Sequence, residues 1–280
     1  MRRAERWIFA PGDARRLAGV RIGLGLLLAY RLASNDYDAH AARHVHFLPH
    51  FYMDLFSRMP SPDFASSLQA LGIATALAAA AGLLIRVTLP VAFLCSLLLN
   101  GILNSAGRVM VRDALLLLCI LVLIAAGNAT REKGFGERYG WPVRTMMVVV
   151  GLAYFFAGLQ KWRYSGLAWV TSDNLRWILY AQPHPNGFAL LIADRPLLAH
   201  AFAAGALLLE TCFPLVLFVP RLRWLVIPSA VAMHVAIRLA LGLDYSAQWL
   251  TMAIVFVNWP VIADWVRRAT SPVRTARVPS

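Results

Sequence analysis

Three residues set within long apolar runs are the best placed in this chain for proton chemistry. Lys161 ends the segment Tyr154-Phe-Phe-Ala-Gly-Leu-Gln-Lys161, Glu210 lies midway along the run 196–220, and His234 lies midway along 224–243. Tyr154, Gly158 and Lys161 recur at i, i+4 and i+7, which is one face of a helix. A second polar stripe, Asn100, Asn104 and Arg108, repeats at i, i+4 and i+8, and Asp113 opens the following run. Arg238 stands one turn beyond His234. Ionisable groups in apolar segments are expensive, and by default they are functional candidates. Facing inward, these stripes would line a polar cavity suited to acid–base work. Plainer roles stand beside that one. Asn100 and Asn104 also suit hydrogen bonding between helices, Lys161 and Arg238 suit snorkelling to a headgroup layer, and Glu210 suits an ion pair with Arg238 or His234.

Other chemistry is poorly represented. His40/His44 and His46/His50 have the i, i+4 spacing of metal ligands, yet no nearby Cys or Glu completes a site. The segment reads as a solvated interfacial loop, and no metal is expected. Cys95, Cys119 and Cys212 sit in apolar runs at unrelated spacings, which suits packing rather than a disulfide framework. No glycine-rich phosphate loop is present.

The elements that must position these residues follow from composition. The chain has 280 residues, of which 59% are hydrophobic and only 15% charged, and its net charge is +13. A soluble domain has roughly 45–50% apolar and about 25% charged residues, so neither that class nor a disordered one fits. Runs at 64–85, 87–107, 114–130, 145–160, 196–220, 224–243 and 245–263 approach or reach the ~20 residues a bilayer requires. An eighth, 17–33, carries Arg21 and Arg31. The fold expected is an all-α polytopic integral membrane helical bundle of about eight transmembrane helices. Segment 161–195 is too interrupted to span. It is expected to form interfacial or re-entrant helices on the outer side, around 174–180 and 188–193.

Placing the N-terminus inside puts sixteen of the 27 Lys and Arg on the inner side and nine outside. With the acids counted, the inside is +11 and the outside +1. Basic loops stay cytoplasmic, so both termini are expected there. The positive charge thus reads as a topology signal, and a nucleic-acid partner is not expected. The chain reads as one membrane domain: a cytoplasmic segment 1–16, a bundle 17–265 and a basic tail 266–280.

The Tyr154–Lys161 segment, followed by Trp169, resembles the hallmark of a membrane domain family. That family is shared by vitamin K-dependent gamma-glutamyl carboxylases and the bacterial horizontally transferred transmembrane (HTTM) proteins. The carboxylases have a Tyr-Phe-x-Ala-Gly-x-x-Lys stretch followed by a Trp and a Gly. Leu207-Leu-Leu-Glu210 is similar to an acid in the family's sixth span, and Met233-His234 with Gly242 is similar to its Phe-His and Gly. Asn104 and Asp113 resemble an Asn…Asp pattern of bacterial members. The likeness covers about 17–265, with its specific motifs in the second half.

The resemblance implies a bacterial inner-membrane enzyme that binds a lipid quinol, vitamin K-like, in an outward-opening pocket. Lys161 would be the base that starts oxygenation or proton abstraction, and Glu210 and His234 would orient or pair with the quinol and Lys161. Asp113 would share the acid–base work, although the carboxylases carry a His there. Tyr154, Gly158, Asn100, Asn104, Arg108 and Arg238 would line the binding site. A water-poor pocket disfavours an ammonium relative to a neutral amine and protects a strongly basic intermediate. The carboxylases continue into a large lumenal β-rich portion, whereas this sequence ends sixteen residues after Asp264. Glutamate carboxylation by the chain alone is therefore not expected. The alternative is a non-enzymatic membrane partner in maturation or export of a secreted peptide, with a peptide or accessory subunit as its partner. A transporter is third, because the halves show no paired broken helices.

Overall fold

A computed structural model describes residues 2–42, 47–49, 51–105 and 112–270, most of them helical. The helices are α1 (Arg2–Ile8), α2 (Ala14–Ala33), α3 (Tyr37–Ala41), α4 (Pro62–Ala81), α5 (Ile85–Ser105), α6 (Ala114–Ala126) and α7 (Glu137–Ser165). They continue as α8 (Ala168–Thr171), α9 (Asn174–Tyr180), α10 (Gly187–Ala193), α11 (Pro196–Cys212), α12 (Leu215–Phe218), α13 (Arg223–Leu241), α14 (Ser246–Phe256) and α15 (Trp259–Thr270). One antiparallel pair of two-residue strands joins Gly12–Asp13 to Phe135–Gly136.

Local chemistry sets the ends. The Asp13 side chain accepts from the Arg15 amide to open α2, and Ser61 accepts from the Phe64 amide to open α4, with Pro62 at the first position. The helix α4 stops at Gly82, which is left-handed at φ +82°, and α13 stops at Gly242, at φ +65°. Both stops need a residue without a Cβ penalty.

Helices α4, α5, α7 and the stretch Pro220–Leu241 are long and apolar enough to cross a membrane. Two bent pairs, α10–α11 at 98° and α14–α15 at 76°, bring the number to six if each is one span. The runs at 17–33 and 114–130 form α2 and α6, which fall outside that set. The helix α6 is short, extended by a 3₁₀ turn over Gly127–Thr130. The helix α2 carries four arginines, Arg15, Arg16, Arg21 and Arg31, and lies in the core, with eleven of its twenty residues buried. It packs against α4, α6, α7, α14 and α15. Protein partners, rather than lipid, surround Arg21 and Arg31.

The apolar run 245–263 is broken. Val257 turns extended, and the helix restarts at Trp259 with Pro260 in its first turn, where its missing N–H costs nothing. The Trp259 indole then seats against Gly19, where a Cβ would meet its ring at 2.3 Å, and donates to the Ile254 carbonyl at 2.9 Å. Beyond the kink α15 carries Val261, Ile262, Trp265 and Val266 exposed, with Arg267 and Arg268 in its last turn. Helical structure thus enters the expected tail as far as Thr270. The short helices expected between 161 and 195 are present as α9 and α10.

Candidate functional site

The helix α7 presents Tyr154, Gly158 and Lys161 on one face, and Gly166 (φ +55°) ends it by donating to the carbonyls of Lys161 and Trp162. Lys161 therefore sits just before the last turn, its own carbonyl accepting from the Gly166 amide that caps the helix. Opposite it α11 contributes Glu210. Gly158 makes the approach possible, since a Cβ there would stand 2.8 Å from Thr211 Oγ1 and 2.9 Å from its backbone N. At this contact Lys161 Nζ donates to Glu210 Oε2 at 2.5 Å, and Trp162 Nε1 donates to Thr211 Oγ1 at 3.1 Å. Glu210 is buried and Lys161 partly so. The ammonium also lies 5.2 Å from the centre of the Trp169 ring, within cation–π range. Trp169 Nε1 is buried with no hydrogen-bond partner among the described residues.

About 10 Å down the same face, two turns of helix away, Tyr154 OH and His234 Nε2 share a hydrogen bond of 2.9 Å. The Tyr154 ring stacks on Phe213 with centroids 4.2 Å apart, and His234 tilts against Tyr245 at 5.7 Å. The other His234 nitrogen, Nδ1, is buried and has no partner among the described residues. Two polar pairs, Lys161–Glu210 and Tyr154–His234, are thus joined through α7, with aromatic rings around both.

The remaining sequence candidates lie elsewhere. Asp113 accepts from Arg31 Nε at 2.8 Å, and Arg31 Nη1 reaches Asp244 at 2.8 Å. This network, buried at Arg31 and Asp113 and half-buried at Asp244, ties α2, α6 and the α13–α14 connection together, a positioning role separate from the lysine pair. Asn100 donates to the Ser96 carbonyl one turn back at 2.9 Å. It lines, with Asn104, a cavity of about 440 Å³ between α5, α6 and the aromatic turn Phe51–Leu55. No residue of α7, α11 or α13 lines that cavity, so the stripe on α5 and the lysine face different spaces. Arg238 is exposed and lies 3.8 Å from Asp244. Arg108, His44, His46 and His50 fall outside the described residues. Among the described residues no cluster of three or more His, Cys, Asp or Glu suits a metal.

Sequence reasoning missed Arg31, Asp244, Thr211, Phe213 and Tyr245. Arg31 was visible as a charge in an apolar run, which by itself requires a partner. The others carry no signal of their own. In its chemistry the site can hold a proton between an amine and a carboxylate. It can also offer a phenol, an imidazole nitrogen and an indole N–H to a ligand with polar atoms on an apolar body. No protein-family model matches the chain, and no curated protein or solved structure matches it.

Proposed function

We propose that the chain is a multi-pass integral membrane enzyme of the HTTM type, related to the vitamin K-dependent gamma-carboxylases. In this reading Lys161 is a base acting on a lipid quinol or a similar lipophilic hydroxyl compound. The observation that carries the reading is the Lys161–Glu210 contact of 2.5 Å under the Trp169 ring, at the end of a membrane-length helix. In a poorly hydrated site an ammonium–carboxylate pair and a neutral amine–carboxylic acid pair lie closer in energy than in water. With the proton on Glu210, the Lys161 amine can take the proton of a hydroxyl held beside it.

The surrounding residues suit a quinol. Trp169 Nε1–H and His234 Nδ1 are buried polar atoms without partners among the described residues, and Tyr154, Phe213 and Tyr245 offer ring faces. A quinol, when bound, supplies an acidic hydroxyl and a ring open to oxygenation by dioxygen. Lys161 takes the proton, Glu210 holds the lysine in place, and Tyr154 fixes the His234 ring. The bundle is read as eight passes, α2 and α6 included, across a bacterial inner membrane with both termini cytoplasmic. Support comes from the inner-side segments meeting at one end: Gly12–Asp13 pairs with Phe135–Gly136, and Arg15 with Asp264.

The test is turnover of an isoprenoid naphthohydroquinone by protein in proteoliposomes under air, with Lys161→Ala as comparison. Wild-type consumption above the lipid-only rate, lost in the variant, is expected. Equal rates in the two proteins would overturn the role of Lys161, and no wild-type consumption would overturn the substrate class.

A further inference from the structure

Asn100 and Asn104 stand one helical turn apart and share a face of α5. That face borders the cavity of about 440 Å³ between α5, α6 and the turn Phe51–Leu55. Its size falls within the ~300–1,000 Å³ of pockets that take small organic molecules. Asn100 is buried, and its Nδ2 donates to the Ser96 carbonyl at 2.9 Å and to the Ser96 hydroxyl at 3.4 Å. Both contacts use the nitrogen, so Oδ1 is the acceptor that Asn100 can offer to the cavity.

The wall opposite the helices is fixed in place. Tyr52 OH donates to the Leu97 carbonyl at 2.8 Å. Met53 is seated on Gly101, where a Cβ would collide with its sulfur. The aromatic turn is thus pinned to α5 at two points beside the space. The remaining wall is hydrocarbon: Phe93 and Leu97 continue the α5 face away from the asparagines, and Leu117 and Leu121 close it from α6. Leu121 and its neighbour Leu118 are also exposed on α6, so the cavity opens sideways on the apolar flank of the bundle. From Phe93 to Asn104 the α5 wall runs about 16 Å.

These walls define what fits. The two asparagines lie toward one end, and the rest of the space offers no partners to water, which needs about two to four when buried. A volume of this size spread along that length has room for one hydrocarbon chain. Among the described residues no Asp, Glu, Lys, Arg or His lines the cavity, and the Tyr52 hydroxyl is committed to Leu97. A charged headgroup would find no counter-charge there and would be costly to bury. A hydroxyl can donate to an amide oxygen and accept from an amide N–H.

We infer that this cavity is a binding site for a single-chain lipid with an uncharged, hydroxyl-bearing end. The polar end meets Asn100 and Asn104, and the chain lies along Phe93, Leu97, Leu117 and Leu121, entering from the bilayer beside α6. No residue of α7, α11 or α13 lines the space, so the site stands apart from Lys161 and does not rest on the reading of Lys161 as a base. The chemistry is met by two sources, a monoacylglycerol or an isoprenoid alcohol.

The full chain is assembled into phosphatidylcholine nanodiscs holding equal fractions of 1-oleoylglycerol, geranylgeraniol and oleoyl-lysophosphatidylglycerol. It is then released into mild detergent and weighed by native mass spectrometry. A single molecule of 1-oleoylglycerol or geranylgeraniol per chain, favoured about tenfold over the charged lysophospholipid, is expected, and the one retained identifies the source. Leu117→Trp fills the space from α6 and should lower retention about tenfold. Asn100→Leu removes the polar end at similar size and should lower it about fivefold. Should either variant fail to fold, the other decides with the wild-type preference. Wild type retaining neither neutral lipid, or retaining the lysophospholipid equally, overturns the site, as does a folded variant that binds as wild type does.

Discussion

Lys161 Nζ and Glu210 Oε2 stand 2.5 Å apart across the α7–α11 contact, with the carboxylate buried and the amine only partly so. Removing one partner of such a pair leaves an uncompensated charge, at about 3–5 kcal/mol for a fully buried case and less here because Lys161 retains some access. Glu210→Gln and Lys161→Met should each lower the melting temperature in detergent. The double variant should recover most of that loss, because no lone charge remains. Neither the single variants nor the double should regain quinol turnover. A double variant that melts as low as the worse single one would show that the pair is not the source of the effect.

Gly158 sets the separation at which that pair can form. A methyl group at this position meets the Thr211 backbone N at 2.9 Å and the Glu210 carbonyl carbon at 3.2 Å, and backbone cannot rotate away as a side-chain tip can. Gly158→Ala should therefore force α7 and α11 apart, at about 1–3 kcal/mol, and reduce turnover as Lys161 loses its partner. Gly205 lies on the same α11 helix with nothing within 4 Å of an added Cβ. Gly205→Ala should be neutral or stabilising by about 0.5–1 kcal/mol through helix propensity. Thermal unfolding of the two variants side by side is the measurement, and equal effects would remove the argument from close approach.

Tyr154→Phe keeps the stack on Phe213 and deletes only the hydroxyl that meets His234 Nε2. Because His234 Nδ1 already lacks a partner, the variant leaves a buried imidazole with no hydrogen bond among the described residues. A loss of about 1–3 kcal/mol in stability is expected. Turnover should fall through KM more than through kcat, if His234 orients the substrate while Lys161 does the chemistry. A fall confined to kcat would place Tyr154 in the proton path.

The helical class was legible because apolar run length alone imposes it. The face that carries Tyr154, Gly158 and Lys161 was legible because a period of 3.6 residues links them. What joins α7 to α11 was not, since the contact depends on Gly158 meeting Thr211, and a glycine's neighbour has no mark in the chain. Asn100 shows the converse. Its spacing with Asn104 is correct for one face, but that face opens on the cavity beside Phe51–Leu55. The kink at Val257–Asn258 was hidden because the residues around it are as apolar as any span, and hydropathy does not register a backbone turn.

Arg31 lowered the apparent quality of the first apolar run, and it is also what fastens that helix. It bridges Asp113 and Asp244, both at 2.8 Å, and Arg31→Met would leave Asp113 buried without its partner at about 3–5 kcal/mol. Asp244 sits in the connection between α13 and α14, and its pKa is lowered. Burial raises it, but the Ser246 amide and hydroxyl and the Arg31 charge outweigh that. A carboxylate with a depressed folded value contributes stability above its unfolded pKa, about 3.9, and loses it as pH falls through the folded value. The gap in melting temperature between wild type and Asp244→Asn should therefore be full at pH 6 and narrow below about pH 4. A gap that stays constant from pH 6 to pH 3 would mean that Asp244 holds the connection by shape alone, with no contribution from its charge on Arg31.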